Sequence, residues 1–267
     1  MYFMTNSFFI TRQWLKYRLI SRHAGGHGIH SPFVYQLLTK AIESKTPPQV
    51  VKTIETIRKS LIKNIEEVRV KELGAPSRVF TSDKRSIKKI AKYTATHPKY
   101  AQLLWRLVDY FKPNTILELG TSLGISGMYL CMHQHLPRLI SVEGSESLAS
   151  IARQNLTTLR PDGTNVIVGE ISECLPIVFD LMPKIDFAYF DANHQFAPSM
   201  KYFEQCLCHF HQYSVLVVAD IHLNPGMQQA WKKICQHERV VVTIDLFGLG
   251  LVFFNKACSK QNFVIRF

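Results

Sequence analysis

The sequence predicts an α/β fold: a seven-stranded mixed sheet ending in an antiparallel hairpin, preceded by a helical extension. Three observations carry this expectation. From residue 114 onward, short apolar runs alternate with segments of helical period. Gly120 and Gly124 follow the first of those runs, at a turn from strand to helix. Phe247-Gly-Leu-Gly250 joins the last two runs as a glycine hairpin, which makes the end of the sheet antiparallel.

The extension, residues 1–112, reads as helical and accessory; residues 113–267 read as the second domain. Thr11 to Ser21 starts amphipathic, with Trp14, Leu15, Tyr17 and Leu19. His23 to His30 is a loop with His23, His27 and His30 among three glycines, closed by Ser31-Pro32 as helix cap and first helical residue. Phe33 to Ile42 is the next helix, broken by Thr46-Pro47-Pro48. Ile54, Ile57, Leu61, Ile62 and Ile65 then predict a helix over Val50 to Val70. Glu72 to Thr81 is a loop containing Arg78, and Asp83 to Tyr93 and Pro98 to Phe111 are helices.

Beyond residue 114 the expected strands are Thr115–Leu119, Leu139–Val142, Asn165–Val168, Ile185–Phe190, Ser214–Ala219, Val240–Leu246 and Leu251–Asn255. The expected helices are Ser126–His133, Ser147–Leu159, Ile171–Phe179, Ala197–His209 and Gly226–His237. Strands separated by helices demand parallel pairing with right-handed crossovers.

The 267 residues are 46% hydrophobic and 19% charged, the balance of an ordered globular chain. There is no apolar run of eighteen residues, so no transmembrane segment is expected. The first twenty residues carry Arg12, Lys16 and Arg18 and lack the pattern of a secretory leader. Six cysteines contain no Cys-x-x-Cys pair and read as reduced thiols, so a cytoplasmic location is expected. The net charge of +12 is unevenly placed: residues 1–112 hold 21 Lys and Arg against 7 Asp and Glu, the remainder 11 against 13. A basic extension raises nucleic acid, anionic lipid or a phosphorylated substrate as partners.

The chemistry lies at the carboxyl ends of the strands, where open parallel sheets bind ligands. Ile116 to Ser126 read Ile-Leu-Glu-Leu-Gly-Thr-Ser-Leu-Gly-Ile-Ser, and Ser141 to Gly144 read Ser-Val-Glu-Gly. Glycines leave room for a ligand at the backbone, and the helix after them offers free N–H groups. Glu143, at the end of the second strand, is placed to hold both hydroxyls of a ribose. Glu118, just ahead of the glycines, would repel a pyrophosphate and attract an ammonium or a sulfonium.

On these residues the chain resembles the class I S-adenosylmethionine-dependent methyltransferases, whose first motif has the form Glu-x-Gly-x-x-x-Gly. The resemblance implies a Rossmann-like sheet with S-adenosylmethionine as cofactor. It implies contacts from Glu118, Gly120, Thr121, Ser122, Gly124 and Ser126, then from Glu143 and Gly144. The adenine ring would be bracketed at Gly169-Glu170-Ile171, with core packing as the other reading of Ile171.

Asp191-Ala-Asn-His194 and the later Asp220-Ile-His222 resemble the small-molecule O-methyltransferase branch, closest to bacterial sugar and macrolide O-methyltransferases. The resemblance implies Asp191 at the cofactor and, with Asp220, as ligand of magnesium, a cation suited to oxygen ligands. It implies His194 as general base, a role that its near-neutral ordinary pKa suits. The other reading of His194 is a cap on the helix near Ala197. The chain departs from its relatives at Ala219 and Ile221, which leave two carboxylates for a metal, with His222 as a further candidate.

The expected activity is therefore methyl transfer to a hydroxyl of a small acceptor, with Asp191 and His194 at the reacting end. Two alternatives stand beside it. A nucleic-acid methyltransferase is favoured by the basic extension, although the chain lacks an Asn-Pro-Pro-Tyr tetrapeptide and an RNA-binding module. A catalytically silent cofactor-binding protein is allowed by the incomplete metal set. Acceptor and oligomeric state are not encoded in any motif.

Overall fold

The structure is a computed structural model that describes residues 2–21, 29–71 and 82–267, with side chains from residue 8 onward. His23, His27, Arg78 and the loop Glu72 to Thr81 lie outside the described residues. The chain divides into two compact units, Met1–Ser44 with Lys184–Phe267, and Lys45–Pro183.

The first unit opens with α1 (Tyr2–Ile20) and α2 (Pro32–Leu37). Ser31 accepts from the N–H of Val34 and Pro32 takes the first helical position, as the Ser-Pro pair predicts. The last turn of the expected helix widens to a π-helix over Leu38–Ile42.

The second unit follows with α3 (Pro48–Lys63), β1 (Glu67–Arg69), β2 (Lys84–Ser86), α4 (Ile87–Tyr93) and α5 (Pro98–Phe111). Two sequence expectations are corrected here. The helix ends at Lys63, and residues up to Val70 are not helical. Asn64 turns extended, and its Oδ1 accepts from the N–H of Glu66 at 2.8 Å. A side chain that offers the backbone another partner competes with the helix. Ile65, in step with the apolar stripe, is 77% exposed. Likewise the segment from Asp83 begins as β2, antiparallel to β1, before Ser86 caps α4. Next come β3 (Thr115–Leu119), α6 (Ile125–Cys131), β4 (Arg138–Glu143), α7 (Glu146–Leu159), β5 (Thr164–Val168) and α8 (Ile171–Leu181). β3 pairs with β4, and β4 with β5, all parallel, as helix-separated strands must. Ile116, Leu117, Leu119, Leu139 and Ile140 are wholly buried, the signature of strands covered on both faces.

The first unit resumes with β6 (Ile185–Phe190), α9 (Phe196–Leu207), β7 (Phe210–Ala219), α10 (Pro225–Gln236), β8 (Val242–Asp245), β9 (Leu249–Phe253) and β10 (Gln261–Val264). β6 and β7 are parallel, and β9 runs antiparallel to both β7 and β8. The glycine hairpin is thus present, with Phe247 left-handed at φ 70° and its N–H donated to Asp245 Oδ1. β10 was not expected: this short polar strand pairs in parallel with β8 and has only Phe263 buried. Apart from the β1–β2 pair, the described residues give the mixed α/β fold eight strands, three in the second unit and five in the first, against seven expected.

Contacts distant in sequence tie α1 into its own unit. Tyr17 is buried, its hydroxyl donates to the carbonyl of Ile265 at 2.6 Å, and Gln228 donates to Gln13 at 2.7 Å. No helix among the described residues is long and apolar enough to cross a membrane.

Candidate functional site

In the second unit the glycine turn between β3 and α6 takes the form the motif requires. Gly120, Ser122 and Gly124 have φ of 96°, 50° and 79°. A Cβ on Gly124 would lie 3.2 Å from the Cα and Cβ of Ala152, so glycine serves both the backbone angle and the close approach of α7. Gly127 on α6 comes as close to β3: a Cβ there would meet Glu118 Oε2 at 3.0 Å.

Glu118 is wholly buried. Ser141 Oγ donates to its Oε2 at 2.6 Å, and Thr121 Oγ1 lies 2.5 Å from Ser141 Oγ. Because the single hydroxyl proton of Ser141 goes to the carboxylate, Thr121 is the donor in the second bond. This Thr121–Ser141–Glu118 chain fastens the turn to β4. Sequence reasoning placed Glu118 and Thr121 in the site but missed Ser141. Its signal is a hydroxyl inside an apolar strand, which demands a partner.

Glu143 gathers the other side of the turn. Its Oε2 accepts from the N–H of Ser122 at 2.8 Å and its Oε1 from the N–H of Ser145 at 3.0 Å. Burial pushes its carboxyl pKa up, while backbone N–H groups of Ser145, Ser122, Gly144 and Thr121 pull it down. Glu143 and the glycine turn are therefore one hydrogen-bonded assembly. Ser126, in the first turn of α6, is buried. Glu170 caps α8 through the N–H of Glu173, and Ile171 is 9% exposed, compatible with core packing.

In the first unit a second cluster forms at the ends of β6 and β7. His194 Nε2 lies 3.6 Å from Asp191 Oδ1, and His194 Nδ1 lies 3.9 Å from Asp220 Oδ2. One ligand atom from each of the three falls within 4.8 Å of the others, close enough to surround a single cation. The sequence motifs thus predict residues that the fold does bring together.

His194 does not cap α9; Gln195 stands at that position. The backbone around the cluster is unusual: Asn193, His194 and Asp220 are left-handed, at φ 63°, 47° and 55°. Such non-glycine residues cost on the order of 1–3 kcal/mol each and persist where surrounding contacts hold them. Those contacts are visible. Asn224 Nδ2 donates to the His194 carbonyl at 2.9 Å, while Asn224 Oδ1 caps α10. Tyr189 donates to Asp191 Oδ2 at 2.8 Å, and Asn193 donates to Tyr202 at 3.2 Å. Asn224 and Tyr189 were not anticipated, because each acts through tertiary contact.

His222 is not in the cluster. Its Nε2 pairs with Asp245 Oδ2 at 2.7 Å, and its ring stacks on Phe247 at 5.2 Å. Asp191, His194 and Asp220 could hold a metal ion between two carboxylates and an imidazole. Carboxylate oxygens fit a hard divalent cation such as magnesium, whereas the imidazole suits a softer one. Of the three histidines in the loop, only His30 is described, and it is exposed.

Residues 117–221 match a family model described as a methyltransferase domain. No curated protein sequence matches the chain. Among solved structures, the O-methyltransferase of Bacillus cereus in complex with SAH is 18% identical, with 83% of this chain and 97% of that one covered and a TM-score of 0.54. The O-methyltransferase TomG of Streptomyces achromogenes, involved in tomaymycin synthesis and solved with SAM, is 21% identical over 60% and 82% of the two chains, with a TM-score of 0.51. The SAH-bound methyltransferase PaMTH1 of Podospora anserina is 12% identical over 77% and 96%, with a TM-score of 0.54. The fold is that of the class I methyltransferases. Together, the matched domain and this fold support an S-adenosylmethionine-dependent methyltransferase.

Proposed function

We propose that the protein transfers the S-methyl group of S-adenosylmethionine to a hydroxyl of a small molecule, an O-methylation. The observation that carries this reading is the placement of His194 between the carboxylates of Asp191 and Asp220 in strained backbone. The O-methyltransferase neighbours support it.

The cofactor supplies a methyl group on a positively charged sulfur. In this reading Glu143 holds the ribose hydroxyls and Gly120, Thr121, Ser122 and Gly124 cradle the ligand at the backbone. Ser126 and Gly144 border the cradle, Glu170 and Ile171 take the adenine end, and Glu118 fixes the turn from behind. The acceptor oxygen attacks the methyl carbon in line, the carbon–sulfur bond breaks, and its electron pair stays on sulfur. His194 accepts the hydroxyl proton on a ring nitrogen, and the two carboxylates stabilise the imidazolium that results. Alignment of oxygen and methyl contributes much of the rate. Asp191 and Asp220 are the candidate ligands of a divalent cation, which would hold the acceptor oxygen and favour its deprotonated form. The helical, basic residues 1–112 serve as the accessory region in this reading.

A second reading, methylation of RNA, draws on the basic excess in residues 1–112. Labelled S-adenosylmethionine incubated with the protein and either a panel of small hydroxylated acceptors or total RNA, with and without magnesium, tests both. Label in small acceptors is expected. Label in RNA alone, at a rate falling steeply with salt, would establish the second reading instead.

A further inference from the structure

Helix α1 rests one side on its own unit and leaves an apolar strip open on the other. Gln13, Tyr17 and Ser21, spaced four apart, are buried. On the far side Phe8 is 72% exposed, Leu15 53% and Leu19 86%. At a turn of 3.6 residues these three lie within about 40° of one another, directly opposite Tyr17. Cations flank the open strip: Arg12 and Lys16 on one edge and Arg18 on the other, its guanidinium 5.4 Å over the Trp14 ring. Trp14 is itself 44% exposed. Residues 1–42 contain no aspartate or glutamate. Lys16 also lines an open groove with Lys232 of α10, which extends the cationic surface.

We propose that this face of α1 docks on an anionic lipid surface, the helix lying along the bilayer with Phe8, Leu15 and Leu19 buried among acyl chains. An apolar strip bordered by arginine and lysine offers a bilayer both buried apolar area and attraction to acidic headgroups. The charge pattern separates this partner from the others. A second copy on the same face would bring Arg12, Lys16 and Arg18 toward their own counterparts with no acid to meet them. A nucleic acid would satisfy the cations and leave the leucines in water.

The test is flotation of the full chain with vesicles of phosphatidylglycerol and phosphatidylcholine against vesicles of phosphatidylcholine alone. Three juxtamembrane cations predict affinity roughly 10²-fold higher for the anionic vesicles, at about 1 kcal/mol per cation. The double variant Leu15→Ser/Leu19→Ser keeps the charge and should lose about tenfold or more, because it removes apolar area. Both proteins should show the same melting shift with S-adenosylhomocysteine, which verifies that the variant is folded. Absence of wild-type flotation, or equal binding to both vesicle types, would overturn the proposal. So would equal flotation of the double variant, or a doubled mass in solution that the same substitutions abolish. RNA retention in place of vesicle binding would overturn it as well.

Discussion

Left-handed backbone occurs at both clusters, but different residues occupy it. In the turn after β3, Gly120 and Gly124 adopt it with little steric cost, and Ser122 is the one residue there that does so with a side chain. At the ends of β6 and β7, Asn193, His194 and Asp220 adopt it although each carries a side chain. Asparagine, aspartate and histidine tolerate this region better than most residues, yet still less well than glycine. The difference fits a division of labour. Where a ligand must come close to the main chain, a missing Cβ is the useful property. Where a proton must move or a cation must be held, the side chain is needed, and neighbouring contacts offset the strain.

The largest expected effect would break the comparison outright. His194→Ala should lower turnover roughly 10²- to 10⁴-fold, the usual contribution of a positioned base. Cofactor affinity, measured calorimetrically, should stay nearly unchanged. Unaltered turnover would remove the base role and leave alignment as the source of rate. Asp220→Ala bears on the same cluster: if a divalent cation is held there, EDTA treatment of the parent protein should reproduce its loss of activity.

Glu143→Ala should show the opposite split. Loss of hydrogen bonds to a charged carboxylate costs about 1.5–3 kcal/mol, or roughly 10- to 10²-fold in affinity. The melting shift given by S-adenosylhomocysteine should therefore largely vanish, and NAD should give none with either protein. A shift with NAD alone would contradict the assigned cofactor.

A pH measurement sharpens the comparison by separating folding from catalysis. Burial lowers the pKa of His133 from its ordinary 6.5 to about 4. Its ring stacks on Trp105 at 4.9 Å, and its Nδ1 has no hydrogen-bond partner among the described residues. Between those two pH values the unfolded chain binds the proton and the folded chain does not. Stability is therefore full above pH 6.5 and falls as the pH drops toward 4, by about 3 kcal/mol. Denaturant unfolding across that range should show the slope, and His133→Asn should flatten it, with the pH profile of turnover keeping its shape.

The smallest effect concerns the turn. Gly124→Ala places a Cβ 3.2 Å from Ala152 in left-handed backbone and should cost about 1 kcal/mol of stability, read from the denaturant midpoint. An unchanged midpoint would mean that the turn relaxes freely and that glycine there serves only the ligand.

Much was legible in the sequence because it was local. Strand β3 from Thr115 to Leu119, strand β6 from Ile185 to Phe190 and helix α5 from Pro98 to Phe111 match their expected limits. Apolar runs and proline starts specify such elements without distant help. The motif residues at strand ends were legible too, since the carboxyl ends of parallel strands are a known location once the strands are found. Periodicity failed at Ile65, where an apolar residue in step with the helix proved exposed, because Asn64 drew the chain out of the helix. β10 escaped notice because a four-residue polar strand has no pattern of its own and exists only by pairing with β8.

Short-range signals thus suffice for the alternation of strands and helices, for the glycine turn and for the strand-end positions of Glu143, Asp191, His194 and Asp220. Each follows from short-range sterics or from the chemistry a residue type can perform. Only the tertiary structure decided that His194 stands between two carboxylates while His222 turns to Asp245. It also decided that Ser141 joins Thr121 to Glu118, and that α1 is fastened to Ile265 with an apolar strip left open on its far side. Those outcomes depend on which residues meet across long stretches of chain, and side-chain partners 23 or 248 residues apart leave no periodic trace for a sequence to display.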